Sequence, residues 1–356
     1  MMAPDGEESK SVSTIQSAVQ IAVFGAGAFG QALAAAAVQS GHLPTIYAPT
    51  KNDLAAAQAN PALVSCRFVA MNENKNYWHE GNKQILPQLI VMAVPCQALR
   101  SAAGWLSQSL NLETTKLRLE IVIASKGVEQ KTLLLPHQIL EDVLGRDHSL
   151  AALSGPSFAS EIVRGLPTSV VCASTHVDFV KKCARLLHRP NFRIYGSRDI
   201  IGVEVGGALK NVVAMVAGAA DGLGLGNNGR AAVITRGLGE MTQVGVSLGA
   251  DPLTFLGLSG LGDLVLTCTG DLSRNRTFGT RLASGERPAD ILKNLGEIVE
   301  GYATAQSAYE LSRQHHLDTP IIDAVYGVLY QNVPIASAFE ALGKREQKEE
   351  FEWVKN

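Results

Sequence analysis

The sequence predicts an α/β domain at the amino end joined to an all-helical domain behind it. Three observations predict this. Short β-rich runs alternate with helix-like stretches up to about residue 200. Beyond that point strand-like runs largely vanish and long Ala-, Gly- and Leu-rich stretches take over. The chain, 356 residues with 46% apolar content, is also long enough to bury two sizeable cores.

The elements justify this in order. Val19 to Phe24 is a short β-rich run, and Gly25-Ala-Gly27-Ala28-Phe29-Gly30 follows at once. Gln31 to Gln39 is a strong helix closed near Gly41, and Leu43 to Ala48 is a second strand. Strand, glycine turn, helix, strand is the opening unit of a doubly wound, Rossmann-like sheet. Further strands are expected at Gln88 to Val94, Arg118 to Ala124, Leu150 to Leu153, Thr168 to Ala173 and Phe192 to Tyr195. Helices are expected at Val203 to Ala220, Gly229 to Leu248, Asp251 to Leu258, Thr277 to Ser284, Ala303 to His315 and Ile321 to Tyr330. The expected division is a disordered extension over 1–17, a nucleotide-binding domain over 18–202, a helical domain over 203–345 and a charged tail over 346–356. Residues 71–83 read as a surface loop.

Charge narrows the partners. Thirty-one basic residues against 33 acidic ones give a net charge of −2. A general nucleic-acid or anionic-membrane binder carries a basic excess, so neither partner is expected. Any anionic substrate must meet a local cluster of positive charge. The five cysteines form no CxxC pair and the histidines show no ligand spacing, so no metal site is expected. Scattered thiols and a polar start without an apolar core point to the cytoplasm. No membrane span is expected, because the least charged stretch, Val205 to Ala220, carries Lys210 at its centre.

Four motifs carry chemistry. In Gly25-x-Gly27-x-x-Gly30 the first glycine permits the tight turn, and the second lets the backbone approach a pyrophosphate. The third lets helix and strand pack closely, with the helix amino end facing the anion. The second strand ends in Ala48-Pro49-Thr50-Lys51, without an acid before Asp53. That leaves Lys51 for a 2′-phosphate and leans the cofactor from NADH towards NADPH. Lys126 stands just after an apolar strand, at the sheet edge where such folds bind ligands. Lys210 is the single charge between Val205 and Ala220; burial disfavours its ammonium form and lowers its pKa towards a range useful for proton transfer. Asp263, in apolar and glycine-rich surroundings, suits it as a partner, and Ser273, Arg274 and Asn275 form a plausible phosphate clamp.

Together these blocks resemble the bacterial form of the NAD(P)-dependent glycerol-3-phosphate dehydrogenases. The resemblance covers about residues 20–340. It rests on GAGAFG at 25–30, ASKGVE at 124–129 and SGPSFASEIVRGLPTSV at 154–170. It continues through the long block at 201–241, GLSGLGDLVLTCTGDLSRNRTFG at 257–279 and EGYATA at 300–305. The resemblance implies reversible hydride transfer between NADPH or NADH and dihydroxyacetone phosphate, giving sn-glycerol 3-phosphate for phospholipid synthesis. It makes Lys210 the proton donor and acceptor, with Lys126 and Asp263 as active-site neighbours. It implies substrate contacts from Gly155, Ser157, Ser273, Arg274 and Asn275. It implies cofactor contacts from Gly25, Gly27, Ala28, Phe29, Gly30, Lys126, Ala159, Arg274, Ile298 and Glu300. Departures stand at Ala28-Phe29, where the family often has a polar residue before a tryptophan, at Ala48-Pro49, where it often has Gly-Arg, and at Cys96, where serine is common. The apolar helices of the second domain make a homodimer plausible.

Two other readings compete. A β-hydroxyacid dehydrogenase also sets a lysine in a Gly-Gly-x-x-Lys-Asn-like helix but takes a small carboxylate. The Ser273-Arg274-Asn275 run favours phosphate instead. A dinucleotide-sensing protein without turnover would lack a proton donor, whereas Lys210 and Asp263 are both present.

Overall fold

The computed structural model describes residues 18–73, 78–80, 83–84, 86–296 and 298–346. The expectations for 1–17 and for nearly all of the charged tail lie outside these residues.

The amino half is an eight-stranded sheet. Its strands are β1 (Gln20–Phe24), β2 (Leu43–Ala48), β3 (Arg67–Ala70), β4 (Leu89–Met92), β5 (Glu120–Ile123), β6 (Ser149–Ser154), β7 (Thr168–Ala173) and β8 (Phe192–Ser197). Their spatial order is β8-β7-β6-β5-β4-β1-β2-β3. Neighbours run parallel except β6 and β7, which pair antiparallel with Ser154 opposite Val171. The central strands β1, β4, β5 and β6 are buried on both faces and so read as near-continuous apolar runs, whereas the edge strands β3 and β8 are part-exposed, β8 carrying exposed Arg193 and Tyr195. Ile21 and Val23 face one core with Leu33, Leu54 and Phe179; Ala22 and Phe24 face the other with Leu99, Leu106 and Ile139. The helices on these faces are α1 (Ala28–Gln39), α2 (Lys51–Gln58), α3 (Cys96–Leu110), α4 (Pro136–Leu144), α5 (Ala159–Val163) and α6 (Val177–Leu187).

The helical half begins at Ile200, three residues ahead of the expected start, because Asp199 caps the Gly202 N–H at 2.8 Å. Its helices are α7 (Ile200–Gly222), α8 (Gly226–Ser247), α9 (Asp263–Thr269), α10 (Arg274–Ala283), α11 (Pro288–Leu295), α12 (Glu300–Gln314), α13 (Pro320–Tyr330) and α14 (Ile335–Gly343). Among the described residues α7 alone is long and apolar enough to cross a membrane, and 89% of its apolar window is buried inside the protein. It is the central core helix. It crosses α10 backbone against backbone: a Cβ on Gly218 would stand 1.9 Å from the Arg276 carbonyl oxygen, and one on Gly279 would stand 1.9 Å from that of Met215.

The helix expected over 251–258 is not an α-helix. Pro252–Leu256 winds as a 3₁₀ turn under an Asp251 cap on the Leu253 N–H, and extended Gly257 ends it. Leu258–Gly262 then forms a wide π turn that delivers Asp263 as the first residue of α9.

Glu240 of α8 caps the amino end of α13. Its buried carboxylate accepts the N–H groups of Ile321 and Ile322 at 2.6 and 3.0 Å. Burial pushes its pKa up to about 8, against the pull of those two donors. The folded state therefore holds this proton where the unfolded chain has released it, and the stability it contributes is lost as pH rises from the ordinary carboxylate range through about 8. Glu240→Gln removes this slope. Urea denaturation at pH 5.5 and 8.5 should show the parent losing more stability than the variant, by a difference on the order of 1–3 kcal/mol.

Candidate active site

The glycine turn after β1 has the shape of an anion cradle. Gly25 sits at φ +115° and donates its N–H to the Tyr47 carbonyl at 2.9 Å; a Cβ there would meet the Ala93 oxygen at 2.4 Å. A Cβ on Gly30 would stand 2.0 Å from the Gly25 oxygen. Gly27 faces open space as the N-cap of α1, with no side-chain cap and no acid in the first turn. The amino end of α1 thus carries no side-chain cap and no acid, and presents the positive end of the helix dipole beside the open space at Gly27. These residues fit the pyrophosphate of a dinucleotide. Ala28 is exposed, and half-buried Phe29 lies under Lys126, whose Nζ is 5.5 Å from the ring centroid.

Lys126, Lys210 and Asp263 meet in one buried cluster. Lys126 lies three residues beyond β5 at the carboxyl edge of the sheet. Its Nζ donates to Asp263 Oδ2 at 2.8 Å, and Lys210 Nζ, from the middle of α7, donates to Asp263 Oδ1 at 2.5 Å. Lys210 also donates to Thr267 Oγ1 at 3.0 Å. Burial drives the Lys210 pKa down to about 8, helped by the Lys126 charge and opposed by Asp263. Burial would raise the Asp263 pKa, but the two ammonium groups overcome it and hold the carboxyl below its ordinary range. The cluster carries two positive charges against one negative, an excess suited to an anionic ligand or a developing oxyanion.

The other expected site residues divide into two groups. Around the cluster, Gly155 (φ +142°) turns the chain after β6, and a Cβ there would touch Val170 Cα at 3.0 Å. Ser157 closes that turn by donating to the Gly155 carbonyl at 2.7 Å, and Ala159 opens α5 behind it. Ser273 caps α10, its Oγ accepting the Arg276 N–H at 3.2 Å, so Arg274 and Asn275 occupy the first turn of the helix. Asn275 holds helices together: it donates to Asn211 Oδ1 at 2.9 Å and accepts the Gly301 N–H at 3.0 Å. Glu300, first residue of α12, accepts the N–H of Cys96 at the start of α3; burial pushes its pKa up to about 7, against the Arg274 charge and that N–H. Ile298, two residues ahead of α12, is exposed, and Lys51, after β2, stands away from the cluster at the sheet's far side, its Nζ 2.9 Å from Glu73 Oε2.

Four participants escaped the sequence reading. Thr267, four residues after Asp263 on the same helix face, was signalled by that spacing. Asn211 was signalled by its place beside Lys210. The hydroxyls of Ser154 and Thr304 are buried without a hydrogen-bond partner among the described residues, packed at Gly207 and Gly127 respectively, and were marked only by lying in the family-like blocks at 154–170 and 300–305.

The pattern of the NAD-dependent glycerol-3-phosphate dehydrogenase amino terminus matches residues 20–180, and that of its carboxy terminus matches residues 199–340. The chain belongs to the NAD-dependent glycerol-3-phosphate dehydrogenases. A glycerol-3-phosphate dehydrogenase [NAD(P)+] of Nitrosomonas eutropha is 42% identical over 335 residues, spanning 92% of this chain and 98% of its own. One from Geobacter metallireducens is 42% identical over 343 residues, spanning 93% and 98%. The crystal structure of glycerol-3-phosphate dehydrogenase from Coxiella burnetii superposes with a TM-score of 0.83 at 32% identity, covering 92% of this chain and 99% of that one. The Lys126–Asp263–Lys210 cluster therefore sits in a glycerol-3-phosphate dehydrogenase fold, where the sheet edge meets the helices.

Asp263→Asn removes the charge that supports the Lys210 ammonium, while burial and Lys126 remain. The Lys210 pKa should fall further below about 8. The pH dependence of its labelling by an amine reagent, followed by mass spectrometry, measures this; an unchanged or raised value would mean that Asp263 does not support the ammonium form.

Proposed function

We propose that the chain catalyses reversible hydride transfer between NAD(P)H and dihydroxyacetone phosphate, yielding sn-glycerol 3-phosphate for glycerophospholipid synthesis. The observation that carries this is the buried Lys210, held at 2.5 Å by Asp263 and tuned to a pKa of about 8 beside a phosphate-suited helix terminus. Family membership over both halves of the chain sets aside the β-hydroxyacid alternative.

When bound, the dihydronicotinamide supplies the hydride. The chain's own residues do the rest. Gly25, Gly27, Ala28 and Gly30 receive the pyrophosphate, with Phe29, Lys126, Ala159, Arg274, Ile298 and Glu300 lining the remainder of the cofactor path. Ser273, Arg274 and Asn275 at the start of α10 take the substrate phosphate, where guanidinium, N–H groups and helix dipole add. Gly155 and Ser157 border the substrate opposite them. Lys126 polarises the carbonyl, and Lys210 donates its proton to the carbonyl oxygen on reduction and takes it back on oxidation. Asp263 keeps the Lys210 amine aimed and its ammonium form accessible.

The same reading extends to organisation. The cofactor side belongs to the half that precedes α7, expected over 18–202, and the catalytic lysine to the helical half that begins with α7 at Ile200. Exposed Leu253 and Leu256, at 69% and 64%, with Leu261 and Val265 nearby, support a homodimer. Five unpaired buried cysteines suit the reducing cytoplasm.

Absorbance decay of NADPH and of NADH, each with dihydroxyacetone phosphate, tests the reaction; no decay with either, once cofactor binding is shown, removes the substrate assignment. Lys210→Ala should lower kcat by about 10²–10⁴-fold while cofactor still binds. Because reduction needs the protonated amine and oxidation the neutral one, reductive kcat should fall as pH rises through about 8 while oxidative kcat rises. Parallel profiles in both directions would exclude Lys210 as the proton carrier.

A further inference from the structure

The carboxyl end of β2 is where a dinucleotide in this fold presents its adenosine ribose. Lys51 is placed there, yet its amine is already engaged. The segment after β3 is stitched to the end of β2: the Met71 N–H donates to the Ala48 carbonyl at 2.9 Å, and the Asn72 N–H to that of Pro49 at 3.3 Å. This brings Glu73 across the strand ends to Lys51, with Glu73 Oε2 2.9 Å from Lys51 Nζ. The adjoining groups are closed too. The Thr50 hydroxyl and N–H both donate to Asp53 Oδ2, at 2.7 and 3.0 Å, and the Asp53 N–H returns to Thr50 Oγ1 at 3.4 Å. The reciprocal cap puts a carboxylate in the first turn of α2, where a 2′-phosphate would otherwise find helix N–H groups. The corner thus carries two carboxylates, Glu73 paired with the Lys51 ammonium and Asp53 held by Thr50.

We propose that Glu73 determines the choice of cofactor: by holding Lys51 it withholds that cation from a 2′-phosphate, and with Asp53 it turns the pocket towards NADH. This deepens the dehydrogenase reading and rests on it for the cofactor's orientation. Under this proposal NADH replaces the lean towards NADPH drawn from Lys51 alone. The ion pair is solvent-exposed, 74% on Lys51 and 43% on Glu73, so it competes with a ligand instead of locking the lysine away. NADPH remains a weaker alternative, and Glu73→Gln releases the lysine to it.

Isothermal titration with 2′,5′-ADP and 5′-ADP, which differ in the 2′-phosphate, tests this without turnover. Glu73→Gln should tighten 2′,5′-ADP binding about fivefold, the upper scale for a solvent-exposed charge pair. Binding of 5′-ADP should shift far less. Adding Lys51→Met to Glu73→Gln should erase the gain, and the NADPH to NADH ratio of kcat/KM should rise in Glu73→Gln in step with the binding change. Equal 2′,5′-ADP affinity in parent and Glu73→Gln, or an equal gain for both nucleotides, overturns the proposal. The parent's own turnover with dihydroxyacetone phosphate separately reports whether the dehydrogenase reading stands.

Discussion

One carboxylate between two ammonium groups organises this molecule. Asp263 is 1% exposed, and a lone ionised carboxyl at that depth is expensive. Lys126 reaches it from the sheet and Lys210 from the central helix, so the ion triad spans the two halves of the chain. Much of the surrounding architecture serves to bring those three side chains together. The π turn before α9 delivers Asp263 at its helix start, and the glycine-lined crossing of α7 and α10 brings Asn275 to Asn211, next in the chain to Lys210. The triad's surplus positive charge is what an anionic substrate would complete.

A second pattern joins the elements: carboxylates from one helix cap the amino ends of others. Glu204 of α7 accepts the His137 N–H at the start of α4 at 2.9 Å and pairs with its ring at 2.5 Å. Glu300 does the same for α3, and Glu240 for α13. Burial raises all three carboxyls above their ordinary range. Two of the three, Glu204 and Glu300, tie the helical half to helices that flank the sheet. Docking of the two halves thus relies on helix dipoles as well as on apolar area.

Much of this was legible in the sequence where the signal was local. The β1–turn–α1–β2 unit followed from glycine spacing. Lys210 stood out because no other charge lies between Val205 and Ala220, and Asp263 because its neighbours are apolar. Start points were less legible: α10 begins at Arg274 rather than Thr277 because Ser273 caps it, and α12 begins at Glu300 rather than Ala303. Non-local features stayed hidden. β3 is four residues long and is defined by its pairing with β2. The reversal between β6 and β7 leaves no pattern, since both strands are apolar whichever way they run. Glu73 carries meaning only after the ends of β2 and β3 are brought side by side.

The central helix α7 also acts as a ruler. Its 23 residues begin against the sheet, where Val203 packs with Ala152 and Ala173, and end within the helical core. Lys210 is set by counting turns from that anchorage. An inserted residue between Val205 and Lys210 would carry the amine about 1.5 Å along the axis and about 100° around it. The side chain would then leave Asp263 and face a neighbouring helix. Evolution of this segment is thus free to exchange small side chains where space allows, but its length between anchor and lysine is held to register, as a gear tooth is held to its pitch.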